Sequence, residues 1–132
     1  MEKTKWGRAP LQLQKNMRLA SRANSFLFAF NGFRILSREP NIIIHLIAAT
    51  GVTIAGIVTH LSPQKWIAIV FAVAIVLVAE ALNTGLEKLC DFTCDNKWSQ
   101  QIKAIKDVAA AAVLLASAGA VITGVIVFFF WN

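Results

Sequence analysis

An uncharged segment, residues 108–131, places the strongest constraint on what this chain can fold into. A run of about 20 apolar residues is long enough for a helix to cross the hydrocarbon core of a bilayer. The segment ends in three phenylalanines and Trp131, and aromatic side chains are enriched at membrane surfaces. The chain is therefore predicted to be a membrane protein, and its 57% hydrophobic and 15% charged residues fit that class.

Two further segments are apolar enough to span a membrane. Residues 42–61 are mainly apolar, although histidines and threonines interrupt them, and residues 66–91 begin with an unbroken apolar run that continues as a helix past Glu80. The uncharged segment and the residues before it form a third span, 102–131. These spans predict an all-α membrane protein in which residues 1–132 form a single domain.

The N-terminal segment, residues 1–38, is basic and is predicted to lie on an anionic membrane surface. Within it, Phe26, Phe30 and Phe33 recur at helical spacing, which indicates an amphipathic helix in the interface. A basic segment that only anchors the topology is the alternative. Its cationic side chains are Lys3, Lys5, Arg8, Lys15, Arg18, Arg22, Arg34 and Arg38.

The remaining cations predict the orientation of the spans. Only Lys65 lies between the apolar parts of the first and second spans, whereas four lysines lie between the apolar run of the second span and the uncharged segment of the third: Lys88, Lys97, Lys103 and Lys106. Because cytoplasmic loops carry an excess of Lys and Arg, the N-terminus and the second loop are predicted to be cytoplasmic. The first 25 residues lack the apolar stretch of a secretory signal, so the N-terminus is expected to stay with the protein. Cys90 and Cys94 then lie in the cytoplasm, where they are expected to be inert thiols.

A stripe of acidic and amide side chains follows the apolar part of the second span. At about 100° per residue, Glu80, Asn83, Glu87 and Asp91 fall on one helix face. Carboxylates grouped in this way repel one another, and divalent cations are their natural counter-ions. Structural alternatives are that Glu80 pairs with a lysine of another helix, and that Glu87 and Asp91 are solvated residues at a helix end.

Four more charged residues are predicted to lie at the same membrane surface. Lys106 and Asp107 directly precede the uncharged segment 108–131, with Lys103 one turn earlier, and Glu39 precedes the first span. Each could serve only as a topology determinant. Together with the stripe, however, they suit Mg²⁺ and ATP, because Mg²⁺ binds carboxylate oxygens and nucleotide phosphates. The glycine spacing at residues 119–124 is followed by valine rather than lysine, so no P-loop is predicted.

The sequence from Glu80 to Glu87, EALNTGLE, followed by Asp91, resembles the E-x-x-N-[ST]-[AG]-[IL]-E-x-x-x-D signature of the bacterial diacylglycerol kinase and undecaprenol kinase family. The resemblance covers about residues 25–130. It extends to Lys103, Lys106-Asp107-Val108-Ala109-Ala110 and Ala112-Val113-Leu114, and upstream to Ser25-Phe26, Ala29, Gly32, Glu39-x-Asn41 and His45.

The resemblance implies an inner-membrane lipid kinase that transfers the γ-phosphate of ATP to a lipid hydroxyl. It also implies a homotrimer of three-span subunits, with active sites between subunits at the cytoplasmic surface. Glu80 would be the general base, and Glu39 and Glu87 would bind Mg²⁺ and, through it, the nucleotide. Lys106 and Asp107 would bind the nucleotide as well. Asn83 and Asp91 would support the site.

The lipid substrate would contact Ser25, Gly32, Asn41 and His45 besides Glu80. Undecaprenol and diacylglycerol are both candidate lipids, and the long basic N-terminus favours the undecaprenol branch slightly. Two residues depart from the family pattern: Ser99, where histidine is frequent, and Ala111, where glycine is usual. The first weakens the assignment of a nucleotide contact nearby, and the second could alter helix packing.

Two other classes of function compete with the kinase. A small multidrug or ion transporter would use Glu80 to bind protons or cations, and would place it near the bilayer midplane. A non-catalytic membrane adaptor would not require Glu39, Glu80, Glu87, Lys106 and Asp107 together. ATP turnover in the presence of lipids separates the three classes.

Overall fold

The computed structural model describes the backbone of residues 11–94 and 97–131 and the side chains of residues 24–94 and 97–131. These residues form helices and no strand, as predicted. The basic side chains before Asn24 lie outside the described residues, and with them most of the predicted surface segment. The elements are α1 (Leu11–Leu36), α2 (Pro40–Val58), α3 (Pro63–Cys94), α4 (Gln100–Val125) and a π-helical turn (Ile126–Phe130).

The chain divides into two compact units, residues 1–35 and residues 36–132. Helix α1 provides the described part of the first unit. Phe26, Phe30 and Phe33 are exposed on it, and so is Arg34. The helical conformation predicted for this segment is present, whereas its position in the membrane interface stays a prediction.

The second unit contains three helices that are long and apolar enough to cross a membrane: α2, α3, and α4 with its π-helical turn. A helix is thus present at each of the three predicted spans. Helix α3 packs mainly against α4 and less extensively against α2, so it is the central helix of this unit. Most large apolar side chains on the three helices are exposed, as expected for helices whose surroundings are lipid or other protein.

The first predicted span, 42–61, extends past the end of α2. The helix stops because His60 adopts a left-handed backbone conformation, with φ of 51°. The amide of His60 donates to the carbonyl of Ile57 at 3.1 Å, and that of Leu61 donates to the carbonyl of Gly56 at 3.1 Å. This pair of bonds is a Schellman motif, which satisfies the last carbonyls of the helix and turns the chain toward α3.

Gly56 allows α2 and α3 to approach closely beside this turn. A Cβ atom at Gly56 would lie 2.9 Å from Cη2 of Trp66 and 3.0 Å from Cδ1 of Leu61. Real Cβ atoms do not approach carbon that closely, so glycine is the residue that fits here without a shift of the indole. The first turn of α3 is therefore held against the last turn of α2 by packing.

The threonines that interrupt the apolar spans satisfy their hydroxyl groups within their own helices. Thr50 donates to the carbonyl of Leu46 at 2.8 Å, and Thr53 donates to that of Ala49 at 2.7 Å. Thr123 on α4 makes the same bond to Gly119 at 2.9 Å. Because each hydroxyl uses the carbonyl four residues earlier, these side chains carry no unmet hydrogen bond into the membrane.

The second and third predicted spans, 66–91 and 102–131, coincide with helical structure, although α3 continues to Cys94. Ser99 is the N-cap of α4, and its Oγ accepts a hydrogen bond from the amide of Ile102 at 3.5 Å. The departure from the family pattern at this position therefore supplies an N-cap, since serine is favoured there. The other departure, Ala111, is exposed on α4.

Candidate active site

The stripe of polar side chains on α3 continues the face on which that helix is packed. In the N-terminal, apolar half of α3, the buried residues include Ile69 and Val76. Glu80, Asn83 and Thr84 are buried on the same helix, at the heptad-like spacing of a packing seam. The helix face that makes the core of the unit thus becomes polar toward its C-terminal end.

Glu80 is the most deeply buried ionisable residue on the described part of the chain. Its relative exposure is 2%. Within the described residues, no hydrogen bond or ion pair involves its carboxylate, so the lysine partner considered from the sequence is not present there. Placing an unpaired carboxyl group on a buried helix face costs free energy, and such groups are concentrated at functional sites.

Asn83 links the buried stripe to Glu87. It is 3% exposed, and its Nδ2 donates to Oε1 of Glu87 at 3.2 Å. Its Oδ1 is buried and has no hydrogen-bond partner in the described part of the chain. Glu87 is half-buried. A carboxylate oxygen and an uncommitted amide oxygen are therefore provided by one turn of α3.

Lys106 and Asp107 are adjacent in sequence but have different partners. The Nζ of Lys106 lies 2.6 Å from Oδ1 of Asp91, which joins the start of α4 to the end of α3. Asp107 pairs instead with Lys103, one turn earlier on the exposed side of α4. The structure thus connects Lys106 to the carboxylate stripe and leaves Asp107 outside it.

Glu39 is held by a residue that sequence reasoning treated only as a topology charge. The Nζ of Lys88 on α3 lies 2.7 Å from Oε1 of Glu39. Glu39 has extended backbone at the N-cap of α2, and its side chain makes no capping hydrogen bond. In the sequence, only the position of Lys88 next to Glu87 indicated that this lysine lies near the site. Its contact with Glu39 joins two helices, so the spacing of residues along the sequence does not predict it.

The side chains present suit Mg²⁺, although they do not form a complete ligand shell. Among the described residues, no group of three or more His, Cys, Asp or Glu side chains is placed to hold a metal ion. The donors are nevertheless hard oxygens, which Mg²⁺ prefers: the carboxylates of Glu39 and Glu87 and the unpartnered Oδ1 of Asn83. Glu39 already binds a cation, the ammonium group of Lys88. Mg²⁺ usually completes its shell with water and substrate phosphates.

The predicted lipid-contact residues lie in both units. Ser25 and Gly32 are on α1, in the first unit. Asn41 is exposed near the start of α2, and His45 is half-buried one turn later. His45 lines a mainly apolar cavity of about 260 Å³ between α2, α3 and α4. Ser117 also lines this cavity, and its buried Oγ has no partner among the described residues.

Neither cysteine of the site region forms a disulfide bond. Both thiols are free, Cys90 buried and Cys94 half-buried. The Sγ of Cys94 donates to the carbonyl of Asp91 at 3.9 Å. That the two thiols are inert stays a prediction.

The chain matches one known protein family over most of its length. Residues 27–128 match the family of prokaryotic diacylglycerol kinases. The chain belongs to that family. Among relatives, a diacylglycerol kinase of Synechocystis sp. is 34% identical over 101 residues, and an undecaprenol kinase of Bacillus subtilis is 34% identical over 105 residues.

The aligned share of each chain differs between these two relatives. The aligned residues are 76% of this chain and 58% of the Synechocystis protein, and 79% of this chain and 85% of the Bacillus protein. This chain therefore spans less than two thirds of the cyanobacterial relative. No solved structure is significantly similar to this chain. Family membership does not favour the transporter alternative.

Proposed function

We propose that this protein is a membrane lipid kinase that transfers the γ-phosphate of ATP to the hydroxyl group of undecaprenol or diacylglycerol. The observation that carries the proposal is Glu80, a buried residue whose carboxylate has no hydrogen bond or ion pair in the described residues, on the helix face that also bears Asn83 and Glu87. Membership of the prokaryotic diacylglycerol kinase family supports the same reaction class.

Glu80 would act as the general base. Its oxygens are not engaged by another described side chain, so they are available to accept the proton of a lipid hydroxyl. A general base that removes this proton contributes about 10²–10⁴-fold to a rate. Burial at the inner end of the stripe would place this step where an alcohol head group enters from the leaflet.

Lys106 would stabilise the negative charge on the phosphates. In the structure its ammonium group is bound to Asp91, so contact with phosphate requires it to share or exchange that partner. Asp91 would hold the lysine in place before the nucleotide binds. Asp107, on the exposed side of α4, would contact the nucleotide outside the stripe.

Glu39, Glu87 and Asn83 would hold Mg²⁺. The ion would supply charge neutralisation for the nucleotide phosphates. The hydrogen bond from Asn83 to Glu87 fixes one carboxylate oxygen and leaves the other oxygen of Glu87 and the Oδ1 of Asn83 for a cation or its water.

The proposed setting is the inner membrane, with the charged end of the bundle on the cytoplasmic side and the sites shared between subunits of a homotrimer. The extensive exposed apolar surface of the three helices is compatible with subunit contacts as well as lipid. Asn41 and His45, near the start of α2, would lie beside the lipid head group.

The decisive experiment supplies purified protein with ATP, Mg²⁺ and either undecaprenol or diacylglycerol in otherwise identical mixed micelles. Phosphorylated lipid is expected from one or both, and the ratio of kcat/KM values identifies the substrate. ATP hydrolysis without lipid phosphorylation would reject the kinase, and so would the absence of both. Protein carrying Glu80→Gln is the matched control for contaminating kinase activity.

A shared site can be examined by mixing two inactive chains, Glu80→Gln and Lys106→Ala. If the two residues of one site come from different subunits, some sites in mixed trimers contain both native residues. Doubly tagged trimers purified from co-expressing cells should then recover part of the activity. No recovery in folded mixed trimers would place both residues on one subunit and leave the kinase proposal intact.

A further inference from the structure

We propose that Lys88 is a built-in competitor for the cation site, an ammonium group that occupies Glu39 until a divalent cation replaces it. The inference rests on the proposed function, because it takes Glu39 as a cation ligand. Its basis is the 2.7 Å contact between Nζ of Lys88 and Oε1 of Glu39.

In the structure, the carboxylate of Glu39 already binds a cation, the ammonium group of Lys88. Helix α2 begins directly after Glu39. Lys88 lies on α3, and its side chain reaches Glu39 from that helix. Glu39 makes no capping hydrogen bond, so the ammonium group is its principal partner among the described residues. A divalent ion that binds this carboxylate through Oε1 must therefore displace Lys88, and one that binds through Oε2 lies beside the ammonium group, whose positive charge opposes it.

The lysine can leave at little cost. Its side chain is 54% exposed, whereas that of Glu39 is 29% exposed. Ion pairs at this degree of exposure contribute little to stability, and a lysine ammonium on a flexible stem is readily hydrated. The pair is thus suited to exchange, unlike a buried ion pair, whose rupture would leave an unsolvated charge.

Competition gives Lys88 a measurable function. While it is bound to Glu39, the site has less net negative charge, which lowers its affinity for a free divalent cation. When ATP arrives with its own negative phosphates, the released ammonium group is close enough to the cation site to interact with them. Lys88 therefore lowers the affinity of the nucleotide-free site for a divalent cation.

The test measures binding of Mn²⁺, a spectroscopic substitute for Mg²⁺, to the full-length protein in nanodiscs without nucleotide or lipid substrate. Free Mn²⁺ is followed by electron paramagnetic resonance. Lys88→Met, which keeps the apolar stem, is expected to bind Mn²⁺ about two- to fivefold more tightly than the native protein, the range that corresponds to an exposed ion pair. Lys88→Arg retains the pair and is expected to bind as the native protein does.

Two controls separate competition from a general change in charge. Lys103→Met removes an equal charge from the same end of the bundle, where Lys103 pairs with Asp107, and should leave Mn²⁺ affinity unchanged. In the Glu39→Gln background, Lys88→Met should have no further effect, because the two residues act through one contact.

Equal affinity in the native protein and Lys88→Met, weaker binding in Lys88→Met, or no Mn²⁺ binding in either overturns the proposal. None of these outcomes depends on turnover. Lipid phosphorylation by the native protein, measured separately, decides the proposed function, so the two can fail independently.

Discussion

The two ends of the α2–α3–α4 unit are held together in different ways. At one end, the start of α2, the end of α3 and the start of α4 are joined by ion pairs, Glu39 with Lys88 and Asp91 with Lys106. At the other end, the turn between α2 and α3 is closed by backbone hydrogen bonds and by Trp66 packed over Gly56.

The difference concerns what each end can do without unfolding. Half-exposed ion pairs can exchange partners at small cost, because water or a ligand replaces either charge. A close-packed turn has one good arrangement, and a change of a single methyl group disturbs it. The charged end is therefore suited to binding and reaction, while the packed end keeps the helices in register. The following predictions test this division, beginning with the largest expected effect.

Glu80→Gln should reduce lipid phosphorylation by about 10²–10⁴-fold, because the amide retains the shape of the side chain but does not act as a base. The fold should survive, since a neutral amide is no harder to bury than an unpaired carboxylate. Initial rates with saturating ATP and lipid, together with a melting curve, measure both effects. Native-like turnover in a folded variant would show that Glu80 is not the base.

Glu39→Gln and Glu87→Gln should each raise the Mg²⁺ concentration at half-maximal activity by about tenfold or more, since each removes a hard oxygen ligand from a site with few. Titration of activity with Mg²⁺ at fixed ATP gives the midpoint. If both midpoints equal that of the native protein, these two carboxylates are topology charges and the charged end has no metal function.

Gly56→Ala should lower the free energy of unfolding by about 1–3 kcal/mol, because the new methyl group overlaps the indole of Trp66. Its matched control is Gly51→Ala on the same helix, where a Cβ meets nothing within 4 Å and greater helix propensity should stabilise the protein slightly. Denaturant unfolding in micelles compares the two. Equal stability of both variants would show that the packed end tolerates change as the charged end does.

His60→Gly should raise the free energy of unfolding by about 1 kcal/mol, because glycine adopts the left-handed conformation at this position without strain. Thr59→Gly is the control: its φ of −86° needs no glycine, so that substitution should not stabilise. The unfolding assay used for Gly56 resolves the effect. A loss of stability in His60→Gly would mean that the imidazole itself contributes to the turn.

The sequence alone predicted the features that depend on patterns of neighbouring residues. Apolar length predicted the three spanning helices, and the 100° rotation per residue predicted that Glu80, Asn83 and Glu87 share a face. It was insufficient where two helices decide the outcome. Neither the pairing of Lys88 with Glu39 nor that of Lys106 with Asp91 follows from spacing, because each depends on how helices pack.

The end of α2 shows a second limit. Hydropathy favoured a span that reached residue 61, because Leu61 is apolar and neither proline nor glycine lies between Val58, the last residue of α2, and Leu61. The helix is stopped by a histidine in a conformation that glycine usually adopts, so the sequence lacked the usual stop signal. The cavity at Ser117 was equally hidden, since an unmet hydroxyl is visible only once the neighbouring helices are in place.

The π-helical turn Ile126–Phe130 follows the end of α4 and contains one more residue than a regular α-helical turn. The amide of Trp131 donates to the carbonyl of Ile126 at 2.7 Å, five residues earlier, and Val127 is fully buried within the turn. A π-helical turn has the geometry of an α-helix with a single insertion. Removing one residue after Val127 would restore α-helical geometry and rotate the terminal aromatic side chains by about 100° relative to the bundle. Length variation by one residue is therefore accommodated at this end as a rotation of the aromatic surface, without a change in how α3 and α4 pack at the charged end.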